Sequence, residues 1–220
     1  MAVSRGRGQH AGLSRQGILR AAVRLADREG LAALSMRRLG AELGVEAMAV
    51  YHYFPNKDAL LDGIVEEVAA EVPMPRLDDS NWREGLRAYA RALLDTLVGH
   101  PNLIPLAFSR PATTPRNLRA MEAHLGWLRT AGFEPRTALD MVYAVNGLTL
   151  VHAVLQTGAG GAPAPHGESG QTSRLAELPA ETYPLMADAA RSSATRGPTA
   201  RFEFALDALL TGFAAARNPS

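Results

Sequence analysis

Between positions 34 and 57 the chain reads LSMRRLGAELGVEAMAVYHYFPNK, and several of these side chains suit contact with a nucleic-acid duplex. Arg37 offers a planar fork of donors that matches O6 and N7 of guanine. Tyr51 and His52 can hydrogen-bond to a phosphate or a base edge. Ala47, Met48 and Ala49 can make only apolar contacts, for example to a thymine methyl. Lys57 is the only lysine of the chain and stands where a helix should begin. A helix macrodipole disfavours a cation there, so a phosphate would suit both the lysine and the free N–H groups.

The elements that must position these groups follow from local signals. Ser35 can cap a helix starting at Met36, because its hydroxyl accepts from the free N–H groups of a first turn. Leu39 and Leu43 give that helix one buried stripe. Gly44 supplies a left-handed residue to stop it. A second short helix is expected from Glu46 or Ala47 to about Tyr53, with Val45 and Val50 inward. Ala47, Met48, Ala49, Tyr51 and His52 are then its outward positions. Two helices joined by a tight glycine turn form the helix-turn-helix pattern, whose second helix is shaped for a major groove. The same pattern also makes ordinary three-helix cores. Phe54 is expected in the core, Tyr51 outside, and Tyr53 is open between the two.

The flanking residues narrow the choice. Gly30, Leu34, Ser35, Arg37, Leu39, Gly44, Val45, Tyr51, Tyr53, Phe54, Lys57, Leu60 and Leu61 form a set that resembles the TetR family of bacterial transcriptional regulators. The stretch G-V-E-x-x-x-V-Y-H-Y-F-P-N-K-D-A-L-L is similar to that family's recognition helix and the start of the next helix. The resemblance implies that Arg37 reads a base and that positions 47–49, 51–53 and 57, including Tyr53 and Lys57, face DNA. Ala47, Met48 and Ala49 replace polar residues of the tetracycline-repressor branch, so the operator should differ from that branch's.

Around this head the chain reads as helical throughout, and no strand pattern occurs. Residues 1–13 are Gly/Arg-rich and aperiodic, which predicts a disordered basic arm. Ser14 opens a helix to about Glu29, with Ile18, Leu19, Ala22, Val23, Leu25 and Ala26 inward. Residues 14–54 are too few to bury a core alone, so they must rest on the next helix. That helix runs from Asn56 or Lys57 to about Val72 and ends at Pro73 and Pro75; Asn56 is its N-cap. It links the DNA unit to the rest of the chain. The domain boundaries expected are 14–72 for the helix-turn-helix unit with its linking helix, and 73–220 for an effector-binding and dimerisation body.

In that body, Ser80 is expected to cap a helix to about Gly99, carrying Trp82, Leu86, Tyr89, Ala90, Leu93, Leu94 and Leu97 on one face. HPNLIPLAFSRP is proline-broken and predicts one or two short turns. Thr114-Pro115 opens a helix to about Ala131, with Leu118, Met121, Leu125 and Leu128 as its stripe. Pro135 opens another to about Thr157 that is apolar nearly all round, which implies burial on more than one side. Residues 158–174 predict a flexible surface loop. A weaker helix is expected over 180–191 and a last one from Thr199 to about Ala216.

The body resembles the tetracycline-repressor-type effector domain through H-P-N-L-I-P-L-A-F-S-R-P, L-x-x-M-E-x-x-L-x-x-L-x-x-A-G-F and A-V-N-G-L-T-L-x-x-A-V-L-Q. Arg110-Pro111 fits the helix-ending turn that shifts when ligand binds in that family. The drug-binding residues do not carry over. The metal-coordinating histidine position falls on Leu106, the glutamate position on Gln156, the threonine position on Ser109, and the asparagine position near Tyr89. Magnesium prefers hard oxygen ligands; with Leu106 in place of the histidine, no magnesium–tetracycline binding is expected. What remains is a pocket for a mostly apolar small molecule, with candidates Trp82, Tyr89, Leu106, Phe108, Ser109, Trp127, Met141, Asn146 and Gln156. The resemblance further implies a homodimer through the helices from Pro135 and Thr199, and a palindromic double-stranded operator.

Composition sets outer bounds. The 220 residues are 47% apolar, which suits globular domains and excludes a disordered chain. No apolar run is expected to reach the length of a membrane span. The N-terminus is basic without an apolar core, unlike a secretory signal. Cysteine is absent, which removes disulfides, thiolate metal sites and cysteine nucleophiles; the cytoplasm is the expected location. The net charge of +1 divides unevenly, with +5 over residues 1–57 and −4 over the remainder. A basic excess over the helix-turn-helix is where phosphate neutralisation would be needed. Two other classes are weighed: an all-α enzyme with a cleft, and an adaptor that binds only proteins. No Ser/His/Asp motif, HExxH or glycine-rich phosphate loop supports the former, and histidines 10, 52, 100, 124, 152 and 166 lack ligand spacing. No cofactor or metal is expected.

Overall fold

In a computed structural model, which describes residues 13–73, 81–110, 114–159, 177–193 and 199–217, all regular structure is helical. Ten α-helices follow in order among those residues: α1 (Arg15–Glu29), α2 (Met36–Glu42), α3 (Ala47–Tyr51), α4 (Lys57–Ala69), α5 (Trp82–Gly99), α6 (Ile104–Ser109), α7 (Pro115–Thr130), α8 (Pro135–Thr157), α9 (Pro184–Ser193) and α10 (Thr199–Ala215). The expectations for the arm 1–12, the cap at Ser80 and most of the 158–174 loop fall outside the described residues.

Capping explains where the first helices start. The Ser14 hydroxyl accepts from the Gly17 N–H, Ser35 from Arg38, and the Asn56 side chain from Ala59. Each satisfies a donor that a helix start leaves free, worth about 1 kcal/mol. Thr114 does the same for α7. The side chain of Asn81 accepts from the Glu84 N–H and caps α5, so that helix begins at Trp82. Helix α4 stops at Ala69, earlier than expected; turns at 70–72 use up its last carbonyls before Pro73.

Two buried clusters organise the molecule. The first holds Ile18, Leu19, Leu25, Leu34, Leu39, Val50, Phe54, Leu60 and Ile64, so the three-helix head rests on α4 as its small size demands. Leu103 and Leu106, from the proline-broken segment, are buried in this same cluster. The head's core therefore reaches past residue 72 into the segment that ends in α6. The second cluster joins α5, α7, α8 and α10 through Leu86, Leu94, Leu128, Met141, Val145 and Phe202 among others.

Helix α8 is the axis of that second cluster and differs from expectation in two ways. Among the described residues it is the one helix long and apolar enough to cross a membrane, contrary to the reading that no run reaches such length. One face carries Ala138, Met141, Val142, Val145 and Ala153 into the core, with Thr149 folding its hydroxyl onto the Val145 carbonyl at 2.8 Å. The opposite side is not buried among the described residues: Tyr143, Val151 and Leu155 are each more than half exposed. On α7 the buried face runs through His124, Trp127 and Leu128, while Leu118 is 53% exposed. The apolar spacing 118–121–125–128 lies beside the true inner face, which the large Trp127 ring fixes by lying over Gly85.

Candidate nucleic-acid interface and effector site

The reading head is set by how closely α2 and α3 approach. Gly44 takes a left-handed φ of 67° at the turn, as the sequence implies. Gly40 does a second job that sequence spacing did not reveal. A Cβ on it would stand 2.9 Å from the Val45 carbonyl oxygen and 3.2 Å from the Ala47 nitrogen. The bare glycine lets the start of α3 lie against α2. Val50 and Phe54, both fully buried, then nail α3 and its exit to the core.

That packing leaves one side outward. Met48 is 62% exposed and Tyr51 42%; His52 is exposed too, while Ala47 and Ala49 are half-buried. Helix α3 ends at Tyr51, and His52 and Tyr53 form the turn after it. Tyr53 is partly exposed, and its hydroxyl donates to the Leu13 carbonyl at 2.7 Å. Arg15 donates to the Tyr53 carbonyl at 3.2 Å and stacks 4.3 Å over the Phe54 ring. The chain entering α1 is thereby tied to the exit of the recognition helix.

The basic excess is sorted by pairing. Arg38 meets Glu29 at 2.6 Å and Glu42 at 3.4 Å, and Arg28 meets Glu42 at 3.1 Å, on the α1–α2 edge. Hydrogen bonds from Arg38 hold the Glu29 carboxyl below its ordinary value. Arg20 pairs with Glu67 at 3.5 Å. Arg37 and Lys57 are exposed and have no such partner among the described residues. The two cations singled out for base and phosphate contact are thus, with Arg24, among those the fold leaves without a carboxylate.

The linking helix α4 is held at both ends by the segment 100–110. Near its start, Arg110 donates to Asp58 Oδ1 at 2.5 Å, Asp62 Oδ1 at 2.6 Å and the Asp58 carbonyl at 3.2 Å. Just past its end, His100 Nε2 lies 3.0 Å from Glu71. Between these ties α4 stands off from α5 and α6 around an apolar cavity of about 90 Å³, walled by Ile64, Val68, Leu93, Leu97, Leu103 and Leu106.

The nine effector candidates do not form one pocket. Leu106 lines the α4 cavity. Trp82 sits edge-on to Phe133 with ring centres 4.9 Å apart, and Trp127 and Met141 are likewise buried in the body's core. Tyr89 and Asn146 meet inside the body: the Tyr89 hydroxyl donates to Asn146 Oδ1 at 2.9 Å. Burial pushes the Tyr89 hydroxyl up to about 12, against the opposing pull of that bond, so it stays a donor. Phe108, Ser109 and Gln156 are exposed, and Ser109 turns its hydroxyl back onto the Pro105 carbonyl.

His124 joins Tyr89 unforeseen, with ring centres 4.7 Å apart. Burial lowers its pKa, against the opposing pull of the Ala120 carbonyl 2.8 Å from Nδ1. A polar residue on the apolar face of α7 was the signal. No group of three or more His, Asp or Glu side chains among the described residues is arranged to hold a metal ion.

Known proteins can be set beside this geometry. The family model for bacterial regulatory proteins of the tetR family matches residues 18–64, and the tetracyclin repressor-like C-terminal domain matches 74–217. The HTH-type transcriptional repressor DrrR1 of Streptomyces coeruleorubidus is 37% identical over 142 residues, covering 64% of this chain and 53% of that protein. This chain thus matches about half the length of DrrR1. The class A tetracycline repressor protein from transposon 1721 of Escherichia coli is 34% identical, with 91% of this chain and 90% of that protein covered. Among solved structures, the TetR family protein ActR of Streptomyces coelicolor in complex with actinorhodin superposes with a TM-score of 0.81 at 28% identity, over 94% of this chain and 98% of that one.

Proposed function

The chain belongs to the TetR family of bacterial regulatory proteins and is a DNA-binding transcriptional regulator; on that premise we propose how it binds and lets go. It acts as a homodimeric repressor in the cytoplasm, holding a palindromic operator until a small, mostly apolar effector releases it.

The reading rests foremost on the head. Met48, Tyr51 and His52 face outward beside the unpaired cations Arg37 and Lys57, while Val50 and Phe54 anchor the helix from behind. Arg37 takes a guanine edge, Met48 and the small Ala47 and Ala49 allow close apolar contact, and Tyr51, His52, Tyr53 and Lys57 contact base edges or phosphates.

The dimer reading is supported by α8. Tyr143, Val151 and Leu155 recur with Gly147 at intervals of four and form one exposed stripe, and Phe204 on α10 is 73% exposed. Such apolar surface on two neighbouring helices suits a four-helix contact with a second copy. Two heads related by a two-fold axis then read half-sites about 34–36 Å apart.

Release works through α4. The cavity lies between its two ties, so an apolar group entering there pushes α4 away from α6. Motion of α4 carries the head, because Leu60 and Ile64 belong to the head's core. The effector must prefer this displaced state over the DNA-bound one. The Tyr89–Asn146–His124 cluster is the polar counterpart within the body that gives such a molecule orientation.

In vitro selection from a random duplex pool with the full-length protein tests the reading. Enrichment of an inverted repeat supports it. Recovery of no common sequence, or of a single unrepeated half-site, counts against it.

A further inference from the structure

Asp27 near the end of α1, Glu71 past the end of α4, and His100 at the end of α5 meet at one corner. His100 Nδ1 lies 2.8 Å from Asp27 Oδ2 and Nε2 lies 3.0 Å from Glu71 Oε2. A neutral imidazole has one N–H and one lone pair, so it can serve only one of these carboxylates. The bridge is complete only with the ring protonated. Burial opposes the charge, but the carboxylates, Glu71 and then Asp27, outweigh it and hold the pKa of His100 above the ordinary histidine value.

The surroundings offer no substitute. Of the cations on α1, Arg15 lies on the Tyr53 carbonyl and the Phe54 ring, Arg20 is taken by Glu67, and Arg28 by Glu29 and Glu42; Arg24 is exposed and has no contact to Asp27 among the described residues. On the 3-10 turn Pro101–Leu103, Asn102 donates to the Asp27 and Ala26 carbonyls, not to the Asp27 carboxylate. On α5, Thr96 and Leu97 are uncharged. Asp27 Oδ1 is buried with no donor, so the contact to His100 is the only side-chain donor that this carboxylate has among the described residues.

We propose that His100 is a proton-operated strap between the reading head and the effector body. Protonated, it ties α1 and the end of α4 to the end of α5. Deprotonated, it turns a lone pair on one carboxylate and the corner opens. The sign follows from the raised pKa: the tie is fully present below the unfolded histidine value and is lost as pH rises through the folded one. His100 also forms one end of the α4 cavity, so the strap and the site proposed for the effector share a wall. Its consequence for DNA rests on the repressor reading above; the strap itself does not.

Full-length protein, His100→Gln and Glu71→Gln test it. Ring resonances followed by NMR, assigned through their loss in His100→Gln, should give a His100 midpoint above the ordinary histidine value, falling in Glu71→Gln. Amide exchange over residues 64–72 and 100–106, corrected for intrinsic rates, should lose about tenfold protection in the wild type from about pH 6 to about pH 9. His100→Gln should be poorly protected throughout, with α7 and α8 unchanged to show that it folds. Affinity for a selected duplex should fall in parallel, compared in a His52→Gln background because His52 belongs to the face proposed to meet DNA. A His100 midpoint at or below the ordinary value, or wild-type protection flat with pH, would overturn the strap. A strap that opens while duplex affinity stays constant would confirm it and overturn its coupling to DNA release.

Discussion

Replacing Gly40 by alanine sets two effects of known size against each other. Alanine is the better helix former by about 1 kcal/mol, so on propensity alone α2 should gain stability. Its Cβ, however, would stand 2.9 Å from the Val45 carbonyl oxygen, 3.2 Å from the Ala47 nitrogen and 3.3 Å from the Ala47 Cα. All three are backbone atoms, so no rotamer change relieves the contact. The helices must part by roughly 0.5–1 Å, at an overpacking cost of about 1–3 kcal/mol. The clash therefore equals or exceeds the propensity gain, and a small loss in melting temperature is expected. The effect on DNA should be larger. Arg37 on α2 and Met48, Tyr51 and His52 around α3 must fit one groove together, and such constellations tolerate about 0.5 Å. Losing one good base contact costs about 1–3 kcal/mol, or roughly 5- to 150-fold in affinity. Non-specific binding, which depends on phosphates, should change little. Fluorescence anisotropy with a selected and a scrambled duplex separates the two. A Gly40→Ala protein that melts higher and binds the selected duplex as the wild type does would refute the argument that this approach sets the head.

Three further substitutions have definite outcomes. Arg37→Ala should weaken binding to the selected duplex by about 1–3 kcal/mol and relax preference at one base pair of each half-site, read by gel shift on a panel of mutated duplexes. Leu106→Ala should destabilise the head, not only the body, by about 2–5 kcal/mol, because Leu106 is buried in the same cluster as the α1 and α4 core side chains; amide exchange in α1 reports it, and unchanged α1 protection would contradict the packing. Arg91 holds Glu203 of α10 through bonds of 2.7 and 2.9 Å, and mainly for that reason the Glu203 carboxyl sits below its ordinary value. A lowered pKa contributes stability above the unfolded carboxyl value and loses it as pH falls through the folded one. Glu203→Gln should therefore lower stability at neutral pH by less than about 1 kcal/mol for so exposed a pair, read as a modest fall in melting temperature, and make no difference in strong acid.

What the sequence made legible was local. Caps at Ser35, Asn56 and Thr114, the stop at Gly44 and the bounds of α8 follow from interactions within a few residues, and they agree with the structure. The inner face of α7 was misjudged because helical spacing identifies an apolar stripe but not its partner; Trp127 and His124 outrank Leu118 only once Gly85 and Tyr89 are opposite them. The ties on α4 were illegible. Arg110 reaches Asp58 across 52 positions and His100 reaches Glu71 across 29, and no local pattern announces such pairs. The α4 cavity is of the same kind, since four elements must assemble before it exists. Gly40 was readable in part: a glycine inside a short helix, just before a turn, costs propensity and calls for a packing reason.

The decisive measurement is a salt series on a selected duplex, with stoichiometry and footprint taken from the same complex. A head that meets DNA through Met48, Tyr51, His52, Arg37 and Lys57, used twice by a symmetric pair, predicts two chains per duplex. It also predicts two protected half-sites one helical turn apart and log affinity falling steeply and linearly with log salt. One chain per duplex, an unpaired footprint or affinity indifferent to salt would contradict it.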